Sequence, residues 1–497
     1  MRVDSKTDRS AAGRDHDVCI IGSGPAGITL ARSLAARGAR VALMEAGDLE
    51  YTDESQENYV GDIVGLDYFP LDTARLRYFG GSSNHWAGWC RALEYHDFRP
   101  KPFNAFSGWP ITKADLDPYR AEADWIVEIP SATEMPDLPV PGGGYDFTRI
   151  QVRYSPPTRF GERFGDEIFA SDAIVLMLNA NLTGFRLSED GATVEAATFR
   201  SYDPADAGFD IRAKHYVLAC GGIENPRLLL NFGIGNRFDQ VGRHFCEHPH
   251  YTLGDVVLNG EVPEQLMIFA PSPEFIAKNE VLNFGLRIDP GGIPKEYPAS
   301  MVRDDFRDAP FTLDLAAHMA RLEAAGPRRA VAEADLPKVV ATARLRTAHE
   351  QAMNPDSRVK LSAERDAFGL ARAALDWHLT DLDIHTMRTA VTTFAARMAE
   401  QNMGRTRIKD WLLAPEVRVP DTSEDEVGGK HHMCATRMSA DPRHGVVDAN
   451  CTVHGMTNFH VAGSSVFSTP GHANPTYTIV QLALRQGNHI GQLLQGT

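Results

Sequence analysis

The chain has no C-x-x-C pair, no run of about 18 apolar residues, and no apolar stretch within its first 17 residues. The first absence removes zinc ribbons and thioredoxin-like redox motifs. The second removes a transmembrane helix, and the third a secretory signal peptide. Six cysteines (Cys19, Cys90, Cys220, Cys246, Cys434 and Cys451) are scattered over 497 residues, as expected for packed, reduced thiols of a cytoplasmic protein. Positive charge is scarce: 50 Lys and Arg stand against 66 Asp and Glu, a formal charge of −16. Such a surface repels phosphate backbones, which excludes nucleic acid as a partner. Repeats and low-complexity tracts are also missing, so disordered, collagen-like and coiled-coil classes fall away. With 43% hydrophobic and 23% charged residues, the composition is that of a soluble globular chain long enough for two or three domains.

Order begins at Asp17. Val18 to Ile21 is a short apolar run suited to a strand buried on both faces, and Gly22-Ser23-Gly24-Pro25-Ala26-Gly27 follows it. Ile28 to Arg37 reads as a helix, Val41 to Met44 as the next strand, and Glu45 closes the unit. This is a β-α-β unit with a G-x-G-x-x-G turn and an acid 23 residues after the first glycine, the context that the dinucleotide fingerprint requires. Gly22 would permit the turn, Gly24 the approach of a pyrophosphate, and Gly27 close helix–strand packing. The helix N-terminus, entered through Pro25 and Ala26, would supply N–H donors, and Glu45 would accept bonds from ribose hydroxyls. The nearest second candidate, Gly233-Ile234-Gly235, has Phe238 where a third glycine should fall. A single dinucleotide site is expected.

Further along, Gly80-Gly81-Ser82-Ser83-Asn84-His85-Trp86 is too tightly turned for a helix or strand. Pro130 to Tyr145 reads as a surface excursion, and residues 174–200 as strands with a hairpin turn at Asp190-Gly191. Tyr216 to Gly222 looks like a buried strand running into a glycine turn, with a helix from Ile223 to Asn231. Between 255 and 430, strand-like pieces (Asn283 to Ile288, Arg358 to Leu361, Arg372 to His378) alternate with Ala- and Arg-rich stretches expected to be helical at 311–350 and 384–403. A final helix is expected from Thr476 to Leu494.

These blocks, with His431-His432-Met433-Cys434-Ala435-Thr436-Arg437-Met438 and Gly471-His472-Ala473-Asn474-Pro475-Thr476, resemble the glucose–methanol–choline (GMC) oxidoreductases in order and spacing. The branch that looks most similar holds pyranose oxidases and bacterial sugar or glycoside oxidoreductases. The resemblance implies a Rossmann-like FAD-binding domain of the GMC/p-hydroxybenzoate-hydroxylase type, with an inserted α+β substrate domain on a mixed or antiparallel sheet. The expected division is a disordered tail over 1–14, FAD-binding segments 15–95, 166–255 and 445–497, and substrate segments 96–165 and 256–444. The resemblance places Gly80, Gly81, Ser82, Asn84, His85, Trp86, Leu182, Ala219, Gly463, Asn474, Pro475 and Thr476 against FAD. It also puts Cys434-Ala435 where the family usually has Gly-Thr, which points to a reshaped pocket wall.

Oxidising a C–OH group needs a base for the hydroxyl proton while the flavin takes the hydride. The resemblance assigns the base to His431, with His432 the alternative if the register slips by one, and its partner to Asn474. Asn474 also reads as a plain helix N-cap before Pro475. His472 reads first as a solvated loop residue, with a place in the pocket as the alternative. His244, His248 and His250 form no ligand set, and no metal is expected. FAD is expected to be non-covalent, with His85 as a contact; a covalent link from His85 to the flavin is the alternative, as in pyranose oxidases with a matching loop. The expected partners are a small alcohol or sugar and an electron acceptor, O2 or another. Two rivals stay open: a non-redox FAD-containing lyase of the same family, and a catalytically silent FAD-binding protein.

Overall fold

The computed structural model describes residues 1–130, 138–139, 146–259, 267–289 and 340–496. Its principal elements are β1 (Arg2–Asp4), β2 (His16–Ile21), α1 (Pro25–Ala35), β3 (Val41–Met44), β4 (Leu138–Pro139), β5 (Phe147–Ile150), β6 (Ile174–Leu178) and β7 (Ala213–Leu218). There follow α2 (Glu224–Phe232), β8 (Thr252–Asn259), β9 (Met267–Pro271), β10 (Phe284–Asp289), β11 (Val340–His349), α3 (Asp381–Glu400), β12 (Gly404–Ile408), β13 (Phe459–Val461) and α4 (Pro475–Gln495).

Short apolar runs dictate the first sheet. Every residue of β3 and β6 is buried, as are Val18 to Ile21 of β2, the pattern of strands covered on both faces. They form a six-stranded sheet in the order β1-β6-β3-β2-β7-β13, parallel at every pairing. Its C-terminal edges carry the Gly22 turn after β2, Glu45 after β3 and Ala219 after β7, where ligands of open α/β sheets bind. The second sheet has seven strands in the order β12-β8-β11-β10-β9-β5-β4, antiparallel throughout. Phe394 on α3 packs against Phe147 and Phe269 of this sheet.

Two expectations are corrected. Residues 2–4 are no disordered tail: β1 pairs with β6, placing Val3 against Met177, and Val3 is buried. The Ala- and Arg-rich stretch ending at 350 is strand, not helix, from Val340 onward; its earlier part lies outside the described residues. Composition suggested a helix there, but Ala343 and Leu345 alternate with Arg344, and two flanking strands select the period of two. Most of Pro130 to Tyr145 lies outside the described residues, yet Leu138–Pro139 within it pairs with β5. Two pairings also cross the expected domain boundaries. Asp62–Ile63 joins Ala374–Leu375 in a small sheet, and β8 starts at Thr252, before residue 255.

Candidate active site

A cavity of about 920 Å³ runs from the turn after β2, past the 80–86 loop, to the antiparallel sheet. Its size is near the top of the roughly 300–1,000 Å³ range of small-molecule pockets. Of the cofactor residues expected from sequence, all but Gly27 and Gly80 line it. Those two act behind the surface. A Cβ on Gly27 would lie 1.9 Å from the Gly22 carbonyl oxygen, and Gly80 turns the loop at φ 94°.

The dinucleotide end is a cradle. Gly22 adopts φ +103°, and a Cβ there would meet the Ala219 oxygen at 2.7 Å. A Cβ on Gly24 would meet no atom within 4 Å, so the surface is open where a pyrophosphate would approach. Gly24 is also the N-cap of α1, which has no side-chain cap, so its first N–H groups are left for an anionic ligand. Glu45 is buried, accepts from Ser23 Oγ at 2.5 Å and Gly47 N at 2.8 Å, and still lines the cavity. These residues fit an adenosine diphosphate moiety. The 80–86 loop lies against the cradle, since a Cβ on Gly81 would sit 3.0 Å from Gly24 Cα. The Asn84 amide donates to the Phe79 carbonyl at 3.0 Å and Trp86 Nε1 to the Thr158 carbonyl at 2.9 Å. His85 lines the cavity beside them, and burial lowers its pKa to about 4. Gly233 and Gly235 end α2 at positive φ and form no second fingerprint.

At the other end, His431 and Asn474 meet. The Asn474 amide nitrogen lies 3.2 Å from His431 Nε2, and both residues line the cavity. Asn474 is the N-cap of α4, yet its side chain makes no cap bond; it is spent on the histidine. His431 Nδ1 lies 2.9 Å from His248 Nδ1, and two such atoms can share only one proton. With the Asn474 amide donating to the single Nε2 lone pair, His431 carries its proton on Nδ1 and donates it to His248. Burial holds the His431 pKa well below the ordinary imidazole value, helped by the neighbouring His248, His250 and His432, so the ring is neutral at working pH. The alternative, His432, also lines the cavity, and its Nε2 pairs with the Tyr68 hydroxyl at 3.0 Å.

Beneath the pair lies Glu247, fully buried. It accepts from the backbone N–H of His431 at 2.8 and 3.0 Å, from that of His248 at 2.7 Å, and from the Tyr68 hydroxyl. Burial raises its pKa to about 7. The segment 246–250 runs antiparallel to 428–433 through bridges Cys246–Met433 and Pro249–Gly428, which carries His248 and His250 to His431. Sequence reasoning missed these three residues. The usable signal was His248-Pro249-His250, because a residue before proline is extended and neighbours two apart share a face.

Two further expectations change. His472 is buried and lines the cavity, its pKa lowered by burial to about 3. Cys434 and Ala435 are buried in the core and do not line the cavity. Cys434 has φ +69°, a left-handed conformation that glycine adopts without strain. Among the described residues no group of His, Cys, Asp or Glu could hold a metal ion, and no helix is long and apolar enough to cross a membrane.

Comparison with known proteins decides the family. Residues 17–124 match the FAD dependent oxidoreductase family, and residues 170–250 and 354–483 match the GMC oxidoreductase family. The chain belongs to the GMC oxidoreductases. Among curated relatives, the fructose dehydrogenase large subunit of Gluconobacter japonicus is 23% identical, covering 97% of this chain and 98% of its own. The 6'''-hydroxyparomomycin C oxidase of Streptomyces lividus is 25% identical, over 97% and 92%. Among solved structures, pyridoxine 4-oxidase from Mesorbium loti superposes with a TM-score of 0.58 at 16% identity, over 95% and 99% of the two chains. This GMC oxidoreductase is an FAD-dependent enzyme.

Proposed function

We propose that this GMC oxidoreductase oxidises a CH–OH group of a sugar, glycoside, cyclitol or related polyol to a carbonyl, with His431 as base and Asn474 as its partner. The observation that carries this is the neutral His431 Nε2 beside the Asn474 amide in the cavity. The names of the fructose and aminoglycoside relatives support a polyhydroxylated substrate. Bound FAD supplies the acceptor for the hydride that leaves the carbinol carbon. When the substrate hydroxyl replaces the Asn474 amide at the Nε2 lone pair, His431 takes its proton there, and the released amide donates to the alkoxide oxygen as its charge develops. His248 accepts from His431 Nδ1 and so keeps the receiving nitrogen unprotonated before the reaction. The first-turn N–H groups of α1, Glu45 and the 80–86 loop would hold the cofactor, and the N-terminus of α4 adds positive potential. Dioxygen or another small oxidant is the final electron acceptor. The six free cysteines support a reducing, cytoplasmic setting.

An anaerobic screen of sugars and polyols tests this, since a substrate should bleach the flavin absorbance. His431→Ala should keep FAD and slow the bleaching by roughly 10²- to 10⁴-fold, and Asn474→Ala by less. A yellow holoenzyme that no alcohol bleaches overturns the proposal. FAD is non-covalent in this proposal, with His85 against it: acid precipitation should leave a yellow supernatant, and a yellow pellet that His85→Ala turns colourless would refute that.

A further inference from the structure

Glu247 is closed off from solvent, and the bonds that hold it leave a narrow way out for a proton. Its backbone donors, among them the His431 and His248 N–H groups, cannot pass one on, because an amide nitrogen keeps its hydrogen. The remaining donor is a side chain, the Tyr68 hydroxyl. The Tyr68 oxygen lies 3.0 Å from His432 Nε2, and His432 lines the cavity. Among the described residues, a carboxylate, a phenol and an imidazole thus form a continuous path from beneath His431 to the cavity wall. Tyr68 is itself buried, and apolar rings sheathe the path. Phe69 and Trp377 pack edge-on against Tyr68 with centroids 5.3 and 5.4 Å away, and Phe245 lies 6.0 Å from the His432 ring. The proposed oxidation uses neither Tyr68 nor His432.

We propose that Tyr68 and His432 are a proton relay through which Glu247 exchanges its proton with the cavity. With Glu247 ionised, Tyr68 donates to the carboxylate, and His432, protonated on Nε2, donates to the Tyr68 oxygen. A proton entering from the cavity at His432 Nδ1 releases the one on Nε2 to Tyr68, while the Tyr68 proton passes to Glu247. Two bonds to hydrogen break and three form, so one proton is taken up and the carboxylate ends neutral. Glu247 then donates to the Tyr68 oxygen, and Tyr68 donates back to His432 Nε2. The proton rests at the far end. Burial holds the Tyr68 pKa well above 10 and lowers that of His432 to about 3, but raises that of Glu247 to about 7. Tyr251 faces Glu247, while Arg75, His85 and Lys430 face His432, where the two cations further disfavour a resting imidazolium. Tyr68 and His432 are therefore positioning residues that act through Glu247 on the charge beneath His431. The inference deepens the reading of His431 as base.

Infrared spectroscopy of the holoenzyme tests the relay without turnover. The carboxylic acid band that Glu247→Gln abolishes reports protonated Glu247, and its decay after a pH jump across the midpoint reports exchange. Tyr68→Phe keeps the ring and removes the hydroxyl. Exchange in this variant, measured about its own midpoint, should slow by roughly 10²-fold with FAD still bound. His432→Ala should slow exchange likewise, and added imidazole should restore it, which a merely structural loss would not allow. Native-like exchange in either variant, or slowing in His432→Ala that imidazole does not reverse, overturns the inference. A Glu247 carboxyl that does not titrate near pH 7 does so too. No substrate is present, so these outcomes stand apart from the oxidation, which flavin bleaching decides.

Discussion

Glu247 touches no solvent and holds three donors around His431, the proposed base: the His431 and His248 backbone N–H groups and the Tyr68 hydroxyl. Its pKa is raised by burial to about 7, whereas that of His431 lies well below 6.5. Between pH 6 and 8 the carboxylate therefore changes charge and the base does not. A negative Glu247 stabilises the imidazolium that forms when His431 takes a proton, so flavin reduction should accelerate as pH rises through about 7, by about tenfold. Glu247→Gln should give a profile without this step, running near the low-pH rate of the native enzyme. A step that survives in Glu247→Gln would remove Glu247 from the proton inventory. This residue also shows how far sequence reading reaches. The fingerprint turn was readable from a local pattern with a chemical reason, whereas His431 and Asn474 were singled out only through the family resemblance. Glu247 and His248 act through a bridge between segments some 180 residues apart, and no spacing along the chain encodes that proximity.

At the scale of elements, the β-α-β unit, α2, α3 and α4 were legible from apolar periodicity and glycine stops. β1 was not, because three residues of mixed polarity carry no period; only its position at the edge of the sheet, beside the wholly buried β6, makes it a strand. β11 was misread because Ala and Arg favour helix in isolation, and the flanking strands outweighed that preference. Both cases are tertiary context overriding local propensity. Deleting residues 1–8 should strip Val3 from its buried place and uncover an edge of the parallel sheet. The loss should be about 2 kcal/mol, read as a lower thermal midpoint with FAD content unchanged. An unshifted midpoint would show that β1 contributes no net stability.

The molecule as a whole keeps several imidazoles out of water. His244, His248, His432, His460 and His472 are all buried, and burial lowers each pKa to about 3 or 4. In the unfolded chain these groups take up protons below about pH 6.5, while in the folded state they stay neutral. The stability they allow is therefore present above pH 6.5 and lost as pH falls, at about 1.4 kcal/mol per unit for each histidine. All five act in the same direction, against a total stability of roughly 5–15 kcal/mol. Glu247, whose pKa is raised, acts in the opposite direction but is a single group. Circular dichroism and flavin fluorescence should therefore report cooperative unfolding and flavin release between about pH 6 and 5. A protein that holds its fold and its colour at pH 4 would contradict this accounting.

The cavity draws its walls from both ends of the chain: Gly22 to Ala26 near the start, Gly463 and Asn474 to Thr476 near the finish. The strand that completes the sheet, β13, is laid beside β7 only when residues 459–461 exist. Synthesis proceeds from the N-terminus, so the fingerprint turn leaves the ribosome hundreds of residues before its counterpart. Nascent chains stalled short of β13 should emerge colourless in the presence of FAD, and chains stalled beyond α4 with a long tether should turn yellow. Flavin capture is in this sense a checkpoint on a finished polypeptide.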